Sequence, residues 1–200
     1  MHEKRLFIIG GCNGAGKTTA SFNILPELLR CKEFVNADEI ARGLSPFQPE
    51  KVALGAGKLM LRRIEELMSL GQDFSFETTL STKSFTKTIE KAKEMGYYVT
   101  LIFFWLDSVE LAKDRVRTRV REGGHNIPKE VIERRYTAGI KNLFNLYCNR
   151  VDFLFIYDNS SINSVLIAEK EGTHEFIIHH TQSFDKLKMI SDEWCWKKDS

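Results

Sequence analysis

The sequence predicts a three-layer α/β/α domain on a mostly parallel five-stranded sheet, with a helical lid and a C-terminal β-hairpin plus helix. Three observations predict it. Short apolar β-type runs alternate with helical segments, the pattern of parallel strands joined by helical crossovers. The run "YYVTLIFFWLD" (Tyr97–Asp107) is almost continuously apolar, as a strand covered on both faces must be. The first strand-like run ends in a glycine-rich loop that opens a helix. The 200 residues, 42% of them apolar, suit one domain, 1–200, with its own core.

Each element has a local reason. "RLFIIG" (Arg5–Gly10) is a short apolar run stopped by glycine, hence a buried strand. "KTTASFNILPELLR" follows as a helix that Pro26 disturbs near its end. "EFVNAD" (Glu33–Asp38) reads as the second strand. Pro49 starts and Gly71 ends a helix whose apolar positions include Val52, Leu59, Ile64 and Leu67. "DFSFETT" (Asp73–Thr79) is the third strand and Thr82–Gly96 a charged helix, before the central strand Tyr97–Asp107. Ser108 caps a helix that stops at Gly123-Gly124, and another begins near Pro128. These two helices form the lid, about 108–147, with His125 as a turn residue between them. "VDFLFIYDNS" (Val151–Ser160) is the last parallel strand. "SVLIAEK" and "HEFIIHH" form the hairpin, and an amphipathic segment carrying Phe184, Leu187, Ile190 and Trp194 completes the core.

Bulk composition excludes more than it assigns. A net charge of +2 is too balanced to argue for nucleic acid or a membrane as partner. Cys12, Cys31, Cys148 and Cys195 form neither a CxxC pair nor a zinc spacing, so free thiols in a reducing cytoplasm are expected. The first apolar run, Leu6–Ile9, is too short for a signal or a membrane span.

The loop "GCNGAGKT" (Gly11–Thr18) matches G-x-x-x-x-G-K-[ST] in its required strand–loop–helix setting. Glycines let successive N–H groups turn toward a triphosphate, and the helix N-terminus adds its dipole. Gly11, Cys12, Asn13, Gly14, Ala15, Gly16, Lys17, Thr18 and Thr19 are therefore expected to bind ATP. Lys17 is expected on the β- and γ-phosphates and the Thr18 hydroxyl on Mg2+. This makes the fold a P-loop NTPase. No N-K-x-D guanine motif occurs, and no apolar run ends in Asp-Glu as in motor ATPases.

Ligands of such sheets bind beyond the carboxyl ends of the strands, where three polar clusters fall. Asp38 can take the proton of an attacking hydroxyl or hold Mg2+ through water, and it can equally cap the helix that follows. Glu77 and Thr78 can hydrogen-bond an acceptor. Asn159 and Ser160 stand where a nucleobase is held. In the lid, Arg117 and Arg121 share a helix face apart from the apolar stripe Ala112, Val116 and Val120, and Arg134 and Arg135 lie beyond the glycine corner. Arginine forks suit a lid that closes over phosphate and excludes water.

Taken together, "GCNGAGKTT", "NADEIARGLSP", "FETTLS", "RVREGGHNIPKEVIERRY" and "YDNS" resemble the zeta-toxin-like P-loop kinases over about residues 4 to 165. The resemblance implies a cytoplasmic, Mg2+- and ATP-dependent kinase with Asp38 as base toward an acceptor hydroxyl and Glu77 on the substrate. It implies Arg121 and Arg134 as the phosphate-stabilising pair, with Arg135 as the solvated neighbour. It also implies a small-molecule acceptor, such as the UDP-N-acetylglucosamine of the best-understood members, and an antitoxin protein as partner. Two other readings stay open: an ATP-hydrolysing switch acting on a protein partner, and a nucleic-acid 5′-hydroxyl kinase.

Overall fold

The computed structural model of the chain describes residues 3–27, 29–124 and 126–192. His125, Trp194 and Cys195 lie outside the described residues. In chain order come β1 (Lys4–Gly10), α1 (Lys17–Glu27), β2 (Phe34–Val35), α2 (Ala37–Leu44), a 3-10 turn (Pro49–Val52) and α3 (Ala53–Ser69). Then follow β3 (Phe74–Thr78), α4 (Phe85–Glu94), β4 (Tyr97–Trp105), α5 (Val109–Arg121) and α6 (Lys129–Asn142). A π-helical turn (Leu143–Tyr147), β5 (Phe153–Asp158), β6 (Val165–Glu171), β7 (Ile177–Ile178) and α7 (Thr181–Asp192) complete it.

The sheet order is β2-β3-β1-β4-β5-β6-β7. β1 is central and pairs in parallel with β3 on one side and β4 on the other. Its run is apolar throughout because both faces are covered: Leu6 and Ile8 are 0% exposed. The register sets Ile9 beside Glu77 and Gly10 beside Thr78. This cross-strand register delivers Glu77 to the foot of the loop that leaves β1.

The expected five-stranded sheet is seven-stranded. β6 pairs antiparallel with β5, and β7 with β6, so the C-terminal hairpin extends the sheet as its edge. The expected strand Glu33–Asp38 is two residues long. Asn36 ends it by accepting a hydrogen bond on Oδ1 from Asp38 N at 2.8 Å, which caps α2. In α3 the buried stripe is Ala56, Met60, Ile64, Leu67 and Met68, while Leu59, expected inside, is 42% exposed.

The lid helices are fastened at their bases. Arg115 of α5 donates to the carbonyl oxygens of Asn159 (2.8 Å) and Ser160 (2.9 Å). Tyr136 of α6 donates to Leu106 O at 2.7 Å and accepts from Trp105 Nε1 at 3.1 Å. Asn142 and Tyr147 donate to Leu80 O and Thr82 O, each at 2.7 Å. Among the described residues, no helix is long and apolar enough to cross a membrane.

Candidate active site

The loop Gly11–Gly16 is wedged between neighbours that leave no room for side chains at its ends. At Gly11, φ is +140° and a Cβ would sit 2.3 Å from Phe104 O. At Gly16, φ is +79° and a Cβ would sit 2.6 Å from Asn159 Nδ2. Asn159 Nδ2 donates to Ala15 O at 2.7 Å, and its Oδ1 accepts from Ser164 Oγ at 2.6 Å. The residue expected at a nucleobase therefore clamps the loop itself. Cys12 is buried within the loop, and burial pushes its thiol up to about 11, which keeps it protonated and unreactive near neutrality.

Lys17 and Glu77 form the charged centre. Their side chains are 5% and 11% exposed, and Nζ lies 3.4 Å from Glu77 Oε1. Lys17 Nζ also donates to Cys12 O at 2.8 Å. The other carboxylate oxygen accepts from Thr18 Oγ1 at 2.6 Å and from Asn36 Nδ2 at 2.9 Å. Glu77 thus holds both loop residues assigned to phosphate and metal. Asn36, given no role of its own by sequence reasoning, holds Glu77 and caps α2 at once. The hydroxyl of Thr18 beside a carboxylate is a pair of hard oxygen donors, and it fits Mg2+. Glycines forced by close backbone approach, with a buried lysine at their foot, fit a polyphosphate.

Asp38 is exposed in the first turn of α2, and the cap is Asn36 rather than Asp38. Asp38 and Thr18 line a cleft of about 550 Å³ between α2 and the lid tip, together with Arg42, Phe47, Arg119 and Gly124. The Phe47 ring is 97% exposed. Thr78 Oγ1 accepts from Leu80 N at 3.1 Å, so its hydroxyl shapes the turn after β3. Thr19 is exposed on α1 next to Thr18.

The structure separates the lid arginines. Arg121 and Arg134 are exposed, and Arg117 pairs with Asp114 at 2.9 Å. Arg135 is half-buried, and its Nη1 donates to Asn13 Oδ1 at 3.1 Å. The two expected phosphate arginines therefore do not meet the loop in this structure, and the one set aside does. The reason is helix phase. Arg135 lies three residues after buried Ile132 and four before buried Gly139, on their face. Arg134 is two residues from Ile132 and falls on the opposite side. The spacing of Ile132, Tyr136 and Ile140 along α6 carries this signal in the sequence.

The model of the Zeta toxin family matches residues 2–171. An uncharacterized protein of Haemophilus influenzae is 31% identical over 137 residues, covering 68% of this chain and 94% of that protein. Among solved structures, the AvrRxo1-ORF1:AvrRxo1-ORF2 complex with sulphate ions aligns at TM-score 0.75 and 19% identity, over 92% of this chain and 63% of that one. That complex with ATP aligns at 0.73 and 20%, with the same coverage. The chain thus spans less than two thirds of the AvrRxo1 chains. The structure of the PezAT chromosomal toxin-antitoxin system of Streptococcus pneumoniae aligns at 0.62 and 17%, over 96% of this chain and 88% of that one. At these identities the structural likeness is one of fold, a mostly parallel sheet flanked by helices with the phosphate loop after its first strand.

Proposed function

The chain belongs to the zeta-toxin family, and from that premise we propose that it is a kinase moving the γ-phosphate of ATP to a hydroxyl of a small-molecule acceptor. The observation that carries this reading is the junction of Lys17, Thr18 and Glu77, which opens through Thr18 into the cleft that Asp38 lines. Phosphate chemistry and an acceptor space share one wall.

In this reading the loop amides and Lys17 hold the triphosphate, and Asn159 keeps the loop in shape from behind. Thr18 and Glu77 would hold Mg2+, which supplies charge neutralisation at the β- and γ-phosphates when bound. Asp38 takes the proton of the acceptor hydroxyl as its oxygen bonds to the γ-phosphorus and the bond to the ADP oxygen breaks. The acceptor lies in the cleft against the open ring of Phe47, with Arg42 and Arg119 at its sides. A nucleotide sugar such as UDP-N-acetylglucosamine offers an apolar face to Phe47, a diphosphate to the two arginines, and hydroxyls to Asp38, Glu39 and Glu50, which line the same cleft. Glu77 acts through Lys17 and Thr18, and Thr78 through the turn after β3. The ATP-bound neighbour supports ATP as donor. The toxin-antitoxin neighbour supports an antitoxin partner. The use of ATP as donor supports the cytoplasm as the compartment of the reaction.

The test is to incubate the protein with γ-labelled ATP and a metabolite extract. A labelled small molecule is expected with wild type and none with Asp38→Ala, which should still bind ATP. Transfer by Asp38→Ala at the wild-type rate would remove Asp38 from its role. ATP hydrolysis with no labelled acceptor would favour the switch reading.

A further inference from the structure

We infer that Arg135, held in place by Asn13, is the lid arginine that binds the γ-phosphate, and that Asn13 is its positioning residue. The inference rests on the kinase reading above. Arg135 and Lys17 are hydrogen-bonded to consecutive residues of the loop, Arg135 to the side chain of Asn13 and Lys17 to the carbonyl of Cys12. Both cations thus sit against adjoining residues of the phosphate loop, Arg135 on a side-chain oxygen and Lys17 on a backbone oxygen. The loop lysine reaches the β- and γ-phosphates in this motif, so a cation on the adjoining residue is set for the terminal phosphate.

The electrostatics agree. Arg135 is half-buried, yet among the described residues it makes no ion pair within 4.0 Å. Arg5, Arg63 and Arg117 each pair with a carboxylate at 2.8 to 2.9 Å. Burial lowers the pKa of Arg135, and the charge of Asp38 offsets this only in part. Its contact is a neutral amide, which orients the fork without neutralising it. A guanidinium carries five donors, and Asn13 takes one. The rest can pair two oxygens of a phosphate at once. Asn13 is 6% exposed, so it is a fixed anchor. Arg134, one position along α6, is exposed.

Calorimetric titration with ADP and with a non-hydrolysable ATP analogue, both with Mg2+, tests this. Loss of a charge-assisted contact to the γ-phosphate alone should lower the preference for the ATP analogue over ADP by about tenfold or more in Arg135→Ala. ADP affinity should stay near wild type and serves as the control for folding. Arg134→Ala should leave the preference unchanged, and Arg135→Lys should restore part of it. Asn13→Ala should lower it less, and the double variant Asn13→Ala/Arg135→Ala should be no worse than Arg135→Ala alone. Should Arg135→Ala lose ADP binding too, the ratios of Arg135→Lys and Asn13→Ala decide, and wild-type ratios in both overturn the inference. An unchanged ratio in a folded Arg135→Ala overturns it alone. Additive losses in the double variant overturn the role of Asn13. Failure of the wild-type protein to bind either nucleotide overturns the kinase reading and this inference with it.

Discussion

Glu77→Gln is the most informative single change, because it keeps the shape of the side chain and removes its charge. Glu77 and Lys17 are 3.4 Å apart with 11% and 5% exposure. At an effective dielectric near 20 their attraction is about 5 kcal/mol before desolvation is counted. The glutamine cannot restore the network. With its oxygen toward Thr18 and Asn36, its NH2 faces the Lys17 ammonium. Flipped, the NH2 faces the Asn36 amide, which donates to Glu77 in the native protein. Either way a donor meets a donor, and Lys17 keeps Cys12 O. Breaking a buried pair from one side costs about 3–5 kcal/mol, and partial exposure puts this site at the low end, about 3 kcal/mol. For a chain of this size that is a fall in Tm of about 6–12 °C. Thermal unfolding followed by circular dichroism measures it. ATP added without Mg2+ should raise the Tm of the variant more than that of wild type, because a phosphate replaces the missing carboxylate beside Lys17. Adding Lys17→Met to Glu77→Gln should recover part of the loss, since no buried charge is then left alone. A Tm within 2 °C of wild type, with an equal ATP shift, would refute the idea that Glu77 holds the loop.

Three further outcomes are expected. Gly11→Ala meets Phe104 O at 2.3 Å and a φ of +140°, so it should abolish ATP binding and cost about 2–4 kcal/mol, read by titration and melting. Phe47→Ala should raise the acceptor KM several-fold, leaving Tm and ATP affinity unchanged, because the ring is 97% exposed; an unchanged KM would remove it from the acceptor site. The Cys12 thiol titrates near 11 in the folded chain against 9.0 for a free thiol. Folded Cys12 thus keeps its proton where the unfolded thiol has lost it. Its contribution to stability is complete below pH 9 and should be lost between about pH 9 and 11, about 2–3 kcal/mol in all. Alkylation of Cys12 at pH 8, followed by peptide mapping, should be slow in the native protein and fast after unfolding.

Local patterns made much of this molecule readable. The phosphate loop announced itself because glycine spacing, lysine and a following helix are all within one short stretch. β4 was evident from its apolar run, and α5 from Ser108, which accepts from Leu111 N. A local signal misleads where it competes with a stronger neighbour. The strand at Glu33–Asp38 shrank to Phe34–Val35 because Asn36 spends its side chain on starting α2. The hairpin is counted apart from the sheet in the sequence reading, since nothing within it says that β5 offers a free edge for β6.

By itself, then, the sequence determined a P-loop α/β chain with a basic lid and acids at the strand ends, because each of those rests on neighbours along the backbone. The tertiary structure alone decided which side chains meet. Strand register set Glu77 beside the loop's root, where it grips Lys17 and Thr18. Helix phase, about 100° per residue, turned Arg134 to solvent and brought Arg135 to Asn13. Both are rotations and alignments between distant segments, and packing of the whole core selects them.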